Sequence, residues 1–204
     1  MLLLKVCGMR NSANIADLVK VQPGFIGFIF HESSPRNVDE ILGIEIPNKI
    51  NKVGVFVNKQ QDFIIQKTND YNLDYIQLHG NETSQFCKEL KQKNYKIIKA
   101  FNIYQEFDFD KLKGYEPSCD YFLFDAFGEN AGGNGIIFNW DLLQNYVGQT
   151  PFLLSGGIDS SMAATIKNIN HQNLVGVDIN SKFEIEPGLK NIEKIKTFKN
   201  ELQS

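Results

Sequence analysis

The 204-residue chain is 42% hydrophobic and 22% charged, a composition that buries a core and excludes an intrinsically disordered chain. Its 21 Lys and Arg against 24 Asp and Glu leave a formal charge of −3. This excludes a general polyanion binder, and neither nucleic acid nor an anionic membrane is expected as a partner.

The first apolar segment, 2–7, is interrupted by Lys5, and the longest later apolar run, 25–30, falls far short of the roughly 20 residues of a membrane span. A cytoplasmic protein is therefore expected. The Val-, Ile- and Phe-rich runs at 2–7, 25–30, 52–57, 75–79, 96–101, 121–125, 152–155 and 174–179 predict eight strands. Between them, helices are expected at 12–21, opening on Ser12 as cap; at 60–71, with Phe63, Ile64 and Ile65 as a buried stripe; and at 83–93, opening on Thr83. Two more are expected at 159–169 and at 189–202, the last with Leu189, Ile192, Ile195 and Phe198 on one face. Gly43 and Pro47 leave 38–49 only partly helical, and Phe107-Asp108-Phe109-Asp110 with Gly114 allow only a short or irregular helix in 102–118.

The carboxyl ends of the eight runs fall about 24 residues apart on average, room for one strand, one short helix and two loops. Eight such units without a linker predict an α/β fold, a single (β/α)8 TIM barrel of eight parallel strands over 1–204, with no room for a second domain. An open doubly wound sheet is the alternative. No Gly-x-Gly-x-x-Gly follows the first strand, which favours closure. In a closed barrel the active site lies at the carboxyl ends of the strands.

At the end of strand 1, Lys5 and Cys7 share a face. A neighbouring ammonium favours the thiolate, making Cys7 a possible base or nucleophile; the alternative is a buried cysteine that fills space. Lys5 inside a barrel needs a partner, and Asp178 on strand 8, beside strand 1 once the sheet closes, is the candidate. Cys87 and Cys119, the other cysteines, form no C-x-x-C pair and have no histidine at metal spacing, so neither a disulfide framework nor a zinc site is expected. Only two of the basic residues are arginines, Arg10 and Arg36, both after the first two strands, where the guanidinium fork could grip a carboxylate or phosphate or simply brace a loop. Asp125 ends strand 6 as either a general acid or base or the partner of a buried cation. The cluster Gly132-Gly133-Asn134-Gly135 follows, able to bring backbone N–H groups close to a ligand. Ser155-Gly156-Gly157 and Asp178-Ile179-Asn180-Ser181 occupy the ends of strands 7 and 8, where barrels often hold phosphate. A small phosphorylated substrate is the physical reading. His79 ends strand 4, facing the mouth or serving as a structural histidine; His31 and His171 have no evident partners.

Taken together, KVCGMR at 5–10, SPR at 34–36, VGVFVN at 53–58, IQLHGNE at 76–82, FDA with GGNG and FNW across 124–140, LSGGI at 154–158 and GVDINSKFE with PGLKN across 176–191 resemble the phosphoribosylanthranilate isomerase family of tryptophan biosynthesis. They span essentially the whole chain, in order. The resemblance implies an Amadori rearrangement of N-(5-phosphoribosyl)anthranilate through an enolamine, with no metal or redox cofactor, in a monomer or a homodimer. It implies Cys7 as general base at the sugar C2 and Asp125 as general acid at the ring oxygen. Arg36 is similar to the arginine that faces the anthranilate carboxylate, and Gly156, Gly157, Asn180 and Ser181 lie where the family holds phosphate. His79, Asp178, Gly133, Asn134 and Gly135 complete the candidate substrate-binding set.

Two departures stand out. Asn134 replaces an expected threonine, and Lys182 replaces a glycine in the strand 8 turn, which would alter the phosphate site if that glycine had a positive φ. The glycine-rich 128–135 is a candidate lid. A related aminoaldose isomerase of histidine biosynthesis would place aspartate at Cys7, and an indole-glycerol-phosphate synthase would need a catalytic lysine and an extra amino-terminal segment. A non-catalytic barrel that binds a phosphorylated ligand is disfavoured by the presence of both Cys7 and Asp125.

Overall fold

The structure, a computed structural model, describes residues 1–40, 43–125 and 140–204. Eight parallel strands form a closed barrel: β1 Leu3–Val6, β2 Phe25–Ile29, β3 Asn51–Phe56, β4 Tyr75–Leu78, β5 Ile97–Asn102, β6 Tyr121–Asp125, β7 Phe152–Ser155 and β8 Leu174–Ile179. β1 closes the ring by pairing with both β2 and β8, which sets Lys5 beside Asp178.

Alternation along the strands divides the core in two. Outward residues such as Val6, Ile26, Phe56, Ile76, Phe122, Phe124, Phe152 and Ile179 pack in the layer beneath the helices. Inward residues Phe25, Val53, Ile98, Ala100, Leu123 and Leu153 fill the barrel. At its amino-terminal end Phe25, Tyr75 and Tyr121 meet with ring centroids 5.5 to 5.9 Å apart. The interior changes character along its axis, from aromatic at this end to charged at the other. β8 carries a bulge: Phe152 pairs with Leu174 but Leu153 pairs with Gly176, so Val175 is an extra residue and also packs inward.

Helices α1 Ser12–Val21, α2 Gln61–Asp70 and α3 Ser84–Gln92 follow β1, β3 and β4. α1 is capped by Asn11 rather than Ser12: the Asn11 carboxamide oxygen accepts the Asn14 N–H at 2.9 Å. Thr83 caps α3 as expected. No helix occurs in the described part of 38–49, where Gly43 takes φ 55°. Two 3-10 helices, Phe109–Gly114 and Glu116–Ser118, fill the fifth connection, the irregular outcome that its composition predicts. A further 3-10 helix at Trp140–Asn145, not anticipated from sequence, precedes β7. The helix expected at 159–169 is a 3-10 turn, Ser160–Met162, and a short α4, Ala163–Lys167.

The expected helix 189–202 is corrected most. Leu189 belongs to a hairpin of β9 Glu184–Glu186 and β10 Leu189–Lys190, and α5 Ile192–Gln203 begins only after the Asn191 cap. Gly188 turns the hairpin at φ 86°, a conformation that glycine alone adopts without strain. His171, read from sequence as unpartnered, pairs its Nε2 with the Tyr146 carbonyl at 3.0 Å, and its Nδ1 accepts the Asn173 N–H at 3.1 Å. All three cysteines are free and buried. Among the described residues, no helix is long and apolar enough to cross a membrane.

Candidate active site

The carboxyl end of the barrel gathers three side-chain networks. The first surrounds Cys7, whose N–H donates to the Ile179 carbonyl at 2.9 Å. Its thiol occupies the space that Gly27 leaves on β2, because a Cβ there would lie 2.9 Å from Sγ. Lys5, two residues earlier on the same face, is fully buried and places Nζ 2.8 Å from Asp178 Oδ2. This is the partner that strand order predicts. Burial works against both charges and pushes the Asp178 carboxyl up, while its attraction holds the Lys5 ammonium above its ordinary value. Lys5 pulls Cys7 towards the thiolate as expected, but burial outweighs it and, with Asp178 adding negative charge, pushes the thiol up.

The second network is at β4 and β6. His79 Nε2 lies 3.3 Å from Asp125 Oδ2, and its Nδ1 lies 2.8 Å from Gln77 Nε2. His79 is therefore not a lone histidine; it bridges a strand residue to the carboxylate. Gln77 Oε1, Asp125 Oδ1 and Asp178 Oδ1 are buried without a hydrogen-bond partner. Leaving such a group unsatisfied costs about 1–3 kcal/mol each, so three acceptors in need of donors converge near the mouth. Sugar hydroxyls are donors of that kind.

The third network ties the β2 loop to the hairpin after β8. Arg36 donates through Nε at 2.8 Å and Nη2 at 2.5 Å to the two oxygens of Glu184. Lys190 Nζ donates to Glu184 Oε1 and Asn180 Oδ1, both at 2.6 Å, and Gly188 N–H donates to Glu184 at 3.0 Å. Burial alone would lift the Glu184 carboxyl, but the bonds from Arg36, Lys190 and Gly188 bring it down to about 2. Glu184 in turn holds the Arg36 guanidinium above its ordinary value. Gly8, at φ 77°, lets both sides approach Cys7, since a Cβ there would meet Asn180 Oδ1 at 2.7 Å and Arg36 Cδ at 2.8 Å. Arg10 donates to the Pro35 carbonyl at 3.0 Å on the surface, a loop brace.

The phosphate candidates separate. Gly156 and Gly157 take φ 92° and 66° after β7, conformations that require glycine. Ser181 opens a 3-10 turn, Ser181–Phe183, while the Asn180 side chain is spent on Lys190. Lys182 lies in that turn without a positive φ, so lysine fits the backbone there. Gly133, Asn134 and Gly135, with most of the candidate lid, lie outside the described residues.

Sequence reasoning missed Glu184 as the partner of the site arginine and Lys190 as the second cation on that carboxylate, although an arginine inside a cleft demands an anion. It also missed Lys99, buried on β5, which lies 3.3 Å from Glu82 and donates to the Leu78, Gly80 and Ala100 carbonyls at 2.8 to 3.2 Å. A lysine inside the apolar run Ile97-Ile98-Lys99-Ala100 was the available signal.

Comparison with known proteins places this geometry. The family model for N-(5'-phosphoribosyl)anthranilate isomerase matches residues 4–201. A protein of Parabacteroides distasonis named N-(5'-phosphoribosyl)anthranilate isomerase is 46% identical over 202 residues, 97% of this chain and 91% of that protein. A solved phosphoribosyl anthranilate isomerase, in complex with reduced 1-(o-carboxyphenylamino)-1-deoxyribulose 5-phosphate, superposes with a TM-score of 0.86 at 25% identity, covering 100% of this chain and 99% of the other. A structure of mutually generated monomers of the dimeric phosphoribosylanthranilate isomerase of Thermotoga maritima shares the fold with a TM-score of 0.82 at 23% identity over the full length of both chains.

Proposed function

The chain belongs to the N-(5'-phosphoribosyl)anthranilate isomerase family, and from that premise we propose how its own side chains carry the reaction. As an enzyme of L-tryptophan biosynthesis it converts N-(5'-phosphoribosyl)anthranilate to 1-(2-carboxyphenylamino)-1-deoxyribulose 5-phosphate. Asp125 gives a proton to the ring oxygen, the ring opens, and a protonated imine forms at C1. Cys7 then takes the proton from C2, the electron pair moves to form the enolamine, and tautomerisation gives the ketone. Each proton transfer assisted in this way contributes about 10² to 10⁴ in rate.

The observation that carries the reading is the pair of Cys7 and Asp125 at the ends of β1 and β6, with Asp125 Oδ1 buried and unpartnered. Arg36, held by Glu184, faces the anthranilate carboxylate. Backbone N–H groups around Gly156, Gly157 and the Asn180-Ser181 turn hold the phosphate. His79 and Asp178 contact the sugar, and Gly133, Asn134 and Gly135 complete the substrate-binding set. Residues 1–204 act as one barrel domain, a monomer or a homodimer, in the cytoplasm, and sedimentation of the purified protein decides between the two assemblies.

Turnover of phosphoribosylanthranilate in the presence of a metal chelator tests the reading. We expect turnover to persist with chelator and to fall by about 10² to 10⁴ in Asp125→Asn and in Cys7→Ala, with KM little changed. A normal kcat in Asp125→Asn removes that residue from the mechanism.

A further inference from the structure

Two potential anions share one cation on the floor of the mouth. Lys5 Nζ lies 2.8 Å from Asp178 Oδ2, and Cys7 stands two residues further along on the same face, where the Lys5 charge bears on its thiol. Cys7 and Asp178 are both buried. One ammonium balances one negative charge, so a neutral cluster contains either a carboxylate and a thiol or a thiolate and a carboxylic acid. A second anion here would be buried without its own counterion, which is strongly unfavourable.

The surroundings narrow the destination of the thiol proton. Lys190 and Arg36 face Cys7 and are cations already committed to Glu184. His79 and Asp125 face Asp178, but they are paired with one another, and His79 is held by Gln77 as well. Asp178 has an acceptor bonded to Lys5 and a second oxygen, Oδ1, that is buried and unpartnered. It is the one group in contact with Lys5, among the described residues, that can gain a proton as Cys7 loses one.

We propose that Asp178 is a positioning residue that takes up the Cys7 proton, by way of Lys5, as the base is made ready. The inference rests on Cys7 being the general base. In the step, the S–H bond of Cys7 breaks as its proton joins Lys5, and one N–H bond of Lys5 breaks as its proton joins Asp178. Lys5 remains an ammonium, the negative charge passes from carboxylate to thiolate, and the net charge of the cluster is unchanged. The reactive form then holds the same number of protons as the resting form. Acid removes activity only when it adds a proton to the cluster as a whole, below the pH at which the thiol would ionise alone.

The test is the acid limb of kcat/KM in the unaltered enzyme and in Asp178→Asn. The carboxamide keeps the acceptor for Lys5 but cannot store the proton, so Cys7 must release it to solvent, and the limb is expected to move to higher pH by about one unit or more. If the thiol ionises directly to solvent, Asp178 only opposes it, and the limb moves to lower pH in the variant. A merely structural role leaves the limb in place and lowers kcat/KM uniformly. Either of the last two outcomes overturns the inference.

Should Asp178→Asn fail to fold, alkylation of Cys7 by iodoacetamide in the unaltered protein, followed by peptide mass spectrometry, serves instead. The inference expects an alkylation rate that levels to a plateau as pH falls; a rate that keeps falling in proportion to hydroxide overturns it. Cys7→Ala separates the two claims. Full turnover in Cys7→Ala defeats the base assignment itself, whereas an inactive Cys7→Ala with an unmoved or lowered limb in Asp178→Asn defeats only the role of Asp178.

Discussion

Gly27→Ala probes the placement of the thiol without touching its chemistry. The added Cβ would lie 2.9 Å from Cys7 Sγ, 3.1 Å from its Cα and 3.3 Å from its Cβ. Ordinary contact begins near 3.4 Å, so Sγ must retreat by about half an ångström, and the three nearest atoms all belong to Cys7. Overpacking of this kind costs about 1–3 kcal/mol, or a fall in Tm of roughly 2–12 °C for a chain of this size. The larger effect falls on rate, because a misplacement approaching 1 Å costs on the order of 10². Steady-state kinetics should show kcat reduced about ten- to a hundredfold with KM nearly unchanged, since Arg36 and the phosphate loops are not crowded. Gly114→Ala is the control: its Cβ meets nothing nearer than Ser84 Oγ at 3.6 Å, and both kcat and Tm should hold. A folded Gly27→Ala enzyme with the parent kcat would show that the position of the thiol does not limit the chemistry and would refute the reasoning.

Glu184→Gln should raise KM, because Arg36 loses the anion that orients it. It should also lower stability in a pH-dependent way: the Glu184 carboxyl is depressed in the folded state from 4.5 to about 2, so its contribution is complete above about pH 5 and disappears as pH falls towards 2. Urea melts at a series of pH values should show the gap between parent and variant closing over that window, and a gap that widens with acid would contradict the assignment. Lys99→Met strands the Glu82 carboxylate, which otherwise meets Lys99 and accepts the Asn58 and Gly80 N–H groups at 2.8 and 2.9 Å. Breaking a buried pair from one side costs about 3–5 kcal/mol, and calorimetry should find much of the loss restored in the double variant Glu82→Gln with Lys99→Met. No restoration would mean that the packing of the lysine stem, not the pair, carries the stability.

What could be read from the sequence follows the range of the physics involved. Strand positions were legible because side chains buried on both faces of a parallel sheet produce short, uninterrupted Val, Ile and Phe runs. The Lys5–Asp178 pair was legible because closure makes the first and last strands neighbours. Local signals near element ends were less reliable: Asn11 and Ser12 are both capable caps, and only the backbone selects Asn11. The segment 184–190 misled more, since Leu189 continues the helical spacing of Ile192 and Ile195, yet Glu184 is drawn to Arg36, 148 residues away, and Lys190 to Asn14, whose carboxamide bonds both its N–H and its carbonyl. Partners at that separation are chosen by the closed barrel, not by any pattern within a window of sequence. The state of the cysteine at the mouth was legible only in part: the pull of Lys5 lies within one strand, but the burial that raises the thiol is set by the closed barrel.

The single extra residue in β8 has an evolutionary edge. Strand side chains alternate, so the face on which Asp178 stands depends on parity, on whether the count of residues from Leu174 is odd or even. With Val175 inserted, Gly176 and Asp178 look inward against Leu3 and Lys5. Deleting Val175 would only remove the bulge and leave both inward, but deleting Val177, past it, would set Asp178 opposite Leu4, turning the carboxylate towards the helices and leaving a lone ammonium inside the barrel. Point substitutions can tune the floor of this site gradually, but a one-codon change in the length of β8 past the bulge rewrites it at a stroke, so the lineage is expected to hold the length of that stretch more tightly than its composition.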